Sequence, residues 1–157
     1  MTDPQRSDRV EYRMERTYEV PATPEQVWEA IATADGIASW MVPTRLDPRT
    51  GGQVVFDLGG YDSVGVVTDY SPNQRFAYEE PWPVAEHMPT AHVDMSTVSP
   101  IATEFLVESA SGGSCVIRVV SSAYGTGADW EQEFWDQMVE GWAELLDHLA
   151  THFTRAA

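Results

Sequence analysis

From Ala128 to about Phe153 the chain carries a helical stripe too long and too broad to be left in water. Trp130, Phe134, Met138, Trp142, Leu145 and Leu149 recur at three- and four-residue steps, and Trp135, Val139 and Leu146 widen the face. Asp129, Glu131 and Glu133 crowd the first turn, where the helix dipole favours negative charge. A helix of this kind needs a large concave partner, and only the segments before it can supply one.

Those segments read as strands. Residues 1–9 are polar and are expected to be a disordered tail, with residues 10–157 forming one domain. From Val10 the pattern alternates: Val10, Tyr12, Met14, Tyr18 and Val20 share one face, interrupted by Arg16, while acidic and polar residues share the other. Thr23-Pro24-Glu25-Gln26 then spells a capping box with proline at the first helical position, and Val27, Trp28 and Ile31 form the buried stripe of a short helix. Thr33 to Trp40 reads as a second short helical segment, interrupted by Gly36, and residues 41–52 read as a loop.

Short strands follow over Val54–Leu58, Val64–Tyr70 and Arg75–Glu79, separated by Gly59-Gly60 and Ser71-Pro72-Asn73. Residues 81–100 hold Pro81, Pro83, Pro89 and Pro100 and read as a long loop of the kind that serves as a lid or binding loop. Thr103–Glu108 and Cys115–Ser122 form a hairpin about Ser111-Gly112-Gly113. The count is about six strands, joined mostly as hairpins. The expected architecture is therefore α+β, an antiparallel sheet curled around the last helix.

Composition narrows the partners. Nine basic residues, all Arg, stand against twenty-five acidic ones, for a net charge of −16. Such a surface repels phosphate backbones and anionic lipid, which argues against nucleic-acid binding. No apolar run reaches the roughly 20 residues that span a bilayer, and the polar start does not read as a signal peptide, so a cytoplasmic protein without membrane insertion is expected. Cys115 is the only cysteine and has no partner for a disulfide within the chain, in keeping with a reducing compartment.

Arg16-Thr17-Tyr18-Glu19-Val20-Pro21 followed by Val27-Trp28 resembles the opening of the SRPBCC superfamily (START-like, Bet v-like), and within it the group named after the activator of the heat-shock-protein ATPase. Trp40, Gly51-Gly52, Gly65-Val66-Val67, Pro72, Arg75-Phe76, Tyr78, Gly112-Gly113, Gly141-Trp142, Leu145-Leu146 and Leu149 resemble later landmarks in the same order, over about residues 10 to 153. Val20 stands where that group usually has Ala, and Glu80 where it often has Trp, with Trp82 two residues further on. The resemblance implies a helix-grip fold with two short helices after the first strand. It also implies a mixed functional repertoire: lipid carriers, cyclases, hydrolase-like enzymes and chaperone activators linked to stress response.

A long helix gripped by a curved sheet usually leaves a cavity at one end. Trp130, Phe134, Trp135 and Met138 from the helix, with Phe56, Tyr78, Phe105 and Tyr124 from the sheet, are its expected lining, and Trp40, Met41, Trp82 and Met88 its expected mouth. Against this stands the plainer reading that an aromatic stripe at helical spacing is core packing. Arg16, on the apolar face of the first strand, suits a ligand carboxylate; more commonly such an Arg pairs with an acid or sends its head to water.

His87 and His92 lie five apart, with Glu86 and Asp94 nearby, but lack a metal-site spacing and a third ligand. His92 is retained only as a polar cavity group, and no metal, cofactor or catalytic residue is assigned. His148 and His152 share one face near the end of the long helix. The leading expectation is a binder of an apolar or amphipathic small molecule. A chaperone-docking domain and a cyclase- or hydrolase-like enzyme using Arg16, Tyr78, His92 or Tyr124 are the alternatives. Oligomeric state is not legible from these residues.

Overall fold

Thr23 opens the first helix through both arms of its capping box: its hydroxyl accepts from the Gln26 amide at 3.2 Å, and Gln26 Oε1 accepts the Thr23 amide at 2.9 Å. The computed structural model describes residues 9–82 and 95–155. Residues 1–8, Met88, the His87/His92 pair and most of the long 81–100 loop lie outside the described residues.

The elements are β1 (Val10–Val20), α1 (Pro24–Ala32), α2 (Ala34–Trp40), β2 (Thr44–Leu46), β3 (Gln53–Asp57), β4 (Asp62–Ser71), β5 (Arg75–Glu80), β6 (Ile101–Ser109), β7 (Cys115–Gly125) and α3 (Asp129–Arg155). They form one seven-stranded sheet in the order β1-β7-β6-β5-β4-β3-β2, with each neighbouring pair antiparallel. This is the expected α+β helix-grip architecture with one strand more than the six anticipated. The extra strand, β2, is three residues long and lies inside the segment read as a loop; pairing with Val54–Phe56, rather than its own pattern, makes it a strand.

Curvature comes from twist and from a bulge: Val67 faces Tyr78 and Asp69 faces Ala77, leaving Thr68 as the extra residue of β4. The sheet's inner face presents Met14, Phe56, Val67, Phe76, Tyr78, Phe105, Ile117 and Val119, all buried, to α3 and the two short helices. From α3, Phe134, Trp142, Leu146, Leu149 and Phe153 are buried against this face. Each contributes roughly 1.5–3 kcal/mol of apolar burial. Trp40 ties α2 to α1 by donating Nε1–H to the Ala30 carbonyl at 2.8 Å.

Candidate functional site

Where α3 crosses the rim of the sheet, a groove of about 450 Å³ remains between them. Its helix wall is Phe134, Gln137, Met138, Gly141, Trp142 and Leu145; its sheet wall is Phe56, Glu80 and Ile101. Leu58, Gly60 and Tyr61 from the β3–β4 turn, with Met41 after α2, complete the described lining. Behind the groove the interior is packed. A residual void of only about 10 Å³ remains among Ile31, Ile37, Trp40, Met41, Phe56, Phe76, Tyr78 and Phe105, room for one water at most.

Glu80 is the only charged side chain among the described lining residues. It ends β5, and Ser63 of β4 donates its hydroxyl to Glu80 Oε2 at 2.6 Å. Burial pushes this carboxyl above the usual carboxylate range, and the Ser63 hydrogen bond only partly offsets it. Tyr61, half-buried at the rim, has its phenol pushed up by burial and by the nearby Glu80 charge. Tyr78, fully enclosed, lies well above the usual phenol range, chiefly through burial and then through Glu80.

Three of the expected lining residues, Phe56, Phe134 and Met138, meet at the groove with Met41 from the expected mouth. Trp40, Tyr78 and Phe105 face the small void instead and act as packing. Trp82, expected at the mouth, is buried: it donates Nε1–H to the Ser99 carbonyl at 2.7 Å and packs against Phe134 at 5.0 Å, Trp130 at 5.6 Å and Trp135 at 5.9 Å between ring centroids. Tyr12 joins the same cluster 5.6 Å from Trp135. Trp130 and Trp135 are thus core and cluster residues rather than cavity lining.

Tyr124 corrects the expectation outright. On β7 the odd residues from Cys115 to Gly125 point inward, so Tyr124 stands on the outer face and is 43% exposed. Arg16 keeps the inward parity of β1 but lies on an edge strand open to water; it is exposed and donates Nη1–H to the Glu15 carbonyl at 2.9 Å. Met88 and His92 fall outside the described residues. Of the residues proposed for a catalytic use, Arg16, Tyr78, His92 and Tyr124, only Tyr78 is buried among the described ones, and Tyr78 does not line the groove.

Sequence reasoning missed Leu58, Tyr61, Gln137 and Glu80. Leu58 reads as the end of a strand and Tyr61 falls between the strands read at Val54–Leu58 and Val64–Tyr70, so neither suggests a groove wall. Glu80 had a signal, as the acid standing where Trp is common, but not the signal that it would face inward.

A fully buried acid lies away from the groove. Glu131, in the first turn of α3, is 0% exposed. Its Oε1 accepts from Tyr12 Oη at 3.0 Å and the Gly127 amide at 2.9 Å; its Oε2 accepts from the Thr126 hydroxyl at 2.8 Å and the Thr126 amide at 3.1 Å. Burial alone would raise its pKa, but these hydrogen bonds together hold it below the usual carboxylate range. Tyr12 answers with a phenol pushed up to about 12, first by burial and then by Glu131. A Cβ at Gly125 would fall on the Glu131 carboxylate, so the glycine keeps the space it occupies.

Two other clefts border α2 and the end of α3. One, of about 450 Å³, is edged by Gln26, Glu29, Asp35, Ser39 and His152; the other, of about 540 Å³, by Ser39, Trp40, Met41, His148, Thr151 and His152. Gln26, Glu29, Asp35, Ser39, His148 and Thr151 are exposed, so these are surface furrows without a desolvated polar anchor. No group of three or more His, Cys, Asp or Glu suited to a metal occurs among the described residues. No described helix is long and apolar enough to cross a membrane.

A curved antiparallel sheet gripping a long C-terminal helix, with a groove at their junction, defines a START-like protein. The model of the family "Activator of Hsp90 ATPase homolog 1-like protein" matches residues 21–154, and the chain belongs to that family. Among solved structures, protein MLL2253 from Mesorhizobium loti is 16% identical with a TM-score of 0.75, covering 93% of this chain and 99% of its own. The Aha1 dimer from Colwellia psychrerythraea gives 20% identity and a TM-score of 0.68 over 90% of this chain and 96% of that one. CalU16 from Micromonospora echinospora gives 17% and 0.60 over 91% and 84%. Identities this low carry the fold alone. No curated protein matches the chain in sequence.

Proposed function

We propose that the protein binds a hydrophobic or amphipathic small molecule in the groove between α3 and the sheet. The observation that carries this is a groove of about 450 Å³ walled by Phe56, Ile101, Met138, Trp142 and Leu145 in front of a close-packed interior. That volume falls within the range of small-molecule sites, and Met side chains adapt to varied apolar shapes. Trp142 in the wall supplies the readout. Titration with an environment-sensitive apolar dye should give saturable, one-to-one binding with quenching of Trp emission, and Met138→Trp should fill the groove and abolish it. Absence of saturable binding to any apolar probe would remove the proposal.

The family description carries a second reading, a domain that docks on a chaperone and changes its ATPase rate. An ATPase assay with the protein added decides it: an unchanged rate removes this reading and leaves the first untouched.

A further inference from the structure

We propose that the groove selects amphiphiles with a protonated amine head, seated on the Glu80 carboxylate with the tail along Met138, Trp142 and Leu145. The inference rests on the groove being a binding site and adds what that site discriminates.

The geometry is one-sided. Every described lining residue except Glu80 is uncharged, so a ligand's head meets a single fixed sign. Ser63 holds one carboxylate oxygen from the β4 side at 2.6 Å, which fixes the group at the sheet wall rather than leaving it to swing into water. Tyr61 on the turn wall, near enough to feel the Glu80 charge, and Gln137 on the helix wall are the neutral polar residues of the described lining. The half-buried carboxylate, among otherwise uncharged lining residues, is less well solvated than one in open water, and its raised pKa accords with that. A bound ammonium restores what water no longer supplies, through charge-assisted hydrogen bonds. A carboxylate or phosphate head meets the opposite balance, like charge in low dielectric. The chain's net charge of −16 also draws cations toward the molecule, but a long-range field does not distinguish one face from another.

The test uses twelve-carbon probes below their micelle concentrations: dodecylamine, dodecanol and dodecanoate, titrated into the full chain at neutral pH and read by Trp emission and calorimetry. The ammonium form should bind roughly tenfold or more tighter than the alcohol, as a charge-assisted hydrogen bond gives, and the carboxylate weakest of the three. Glu80→Gln, with folding checked by circular dichroism, should bring amine and alcohol within about twofold of each other. Glu79→Gln is the control: Glu79 is the neighbouring residue, exposed on the outer face, and its loss changes the net charge identically. It should keep the preference.

Equal binding of amine and alcohol by the unaltered protein overturns the inference, and so does a preference that survives Glu80→Gln or is equally lost in Glu79→Gln. Alcohol binding without head-group preference overturns the inference alone; no binding of any probe overturns the groove as a site.

Discussion

Glu80 is half-buried and Glu131 fully buried, and their neighbours send them in opposite directions. Glu131 has four donors around its two oxygens, whereas Glu80 accepts from the Ser63 hydroxyl in an otherwise uncharged groove. For Glu131 the folded pKa lies below the ordinary 4.5, so its stabilisation is fully present above that value and is lost as pH falls through the lowered one. Glu131→Gln should cost about 3 kcal/mol at pH 7, because an amide turns N–H toward donors that expect an acceptor. Urea unfolding should show the gap to the unaltered protein narrowing as pH drops below 4.5. For Glu80 the folded pKa is raised, so the protein is most favoured with the group protonated and loses stability as pH rises through the raised value. Glu80→Gln should therefore be more stable relative to the unaltered protein at pH 8 than at pH 4; a gap independent of pH would contradict the burial of the carboxyl.

At the scale of elements, α3 carries both the fold and the groove, and Gly141 marks where the two compete. It lies mid-helix in the groove wall, and a Cβ there would meet nothing within 4 Å. Glycine in that position costs about 0.5–1 kcal/mol relative to alanine. Gly141→Ala should recover that amount in thermal unfolding while keeping dye binding, and Gly141→Leu should keep the helix while weakening dye binding severely. Loss of stability in the alanine variant would mean the space is not open.

The course of α3 was legible because its apolar period persists over many turns. Which of its aromatics pack and which face a groove was not, because Trp130, Phe134, Trp135 and Met138 share one stripe. Only the positions of Trp82 and Tyr12 separate them. Tyr124 could have been excluded from its strand parity, since Cys115, Ile117 and Val119 already fix the inner face. β2 could not have been found, because three residues between two prolines carry no pattern of their own. Arg16 reads as inward by parity, and nothing in its own segment says that β1 is an edge.

The whole molecule is strongly acidic, and its internal pairing leaves that charge largely unbalanced. Arg75 sits between Asp69 and Glu104 at 2.7 and 2.6 Å, and Glu15 pairs with Arg13 and Arg118 at 2.8 and 2.6 Å. With nine Arg against twenty-five acids, most carboxylates have no cation to meet even if every Arg takes one. Exposed pairs contribute at most about 1 kcal/mol each, whereas the excess charge repels itself across the entire surface. Salt weakens both, but the repulsion acts over more pairs and longer distances, so its screening dominates. The folded state brings the carboxylates closer than the unfolded chain does, and screening therefore favours folding. Raising NaCl from 10 mM to 0.5 M should stabilise the protein by about 1 kcal/mol, which at this length raises Tm by roughly 3 °C. Sucrose at matched osmolality, which carries no charge, serves as the control for solvent exclusion. A Tm that falls with salt would mean that the Arg75 and Arg118 networks outweigh the surplus.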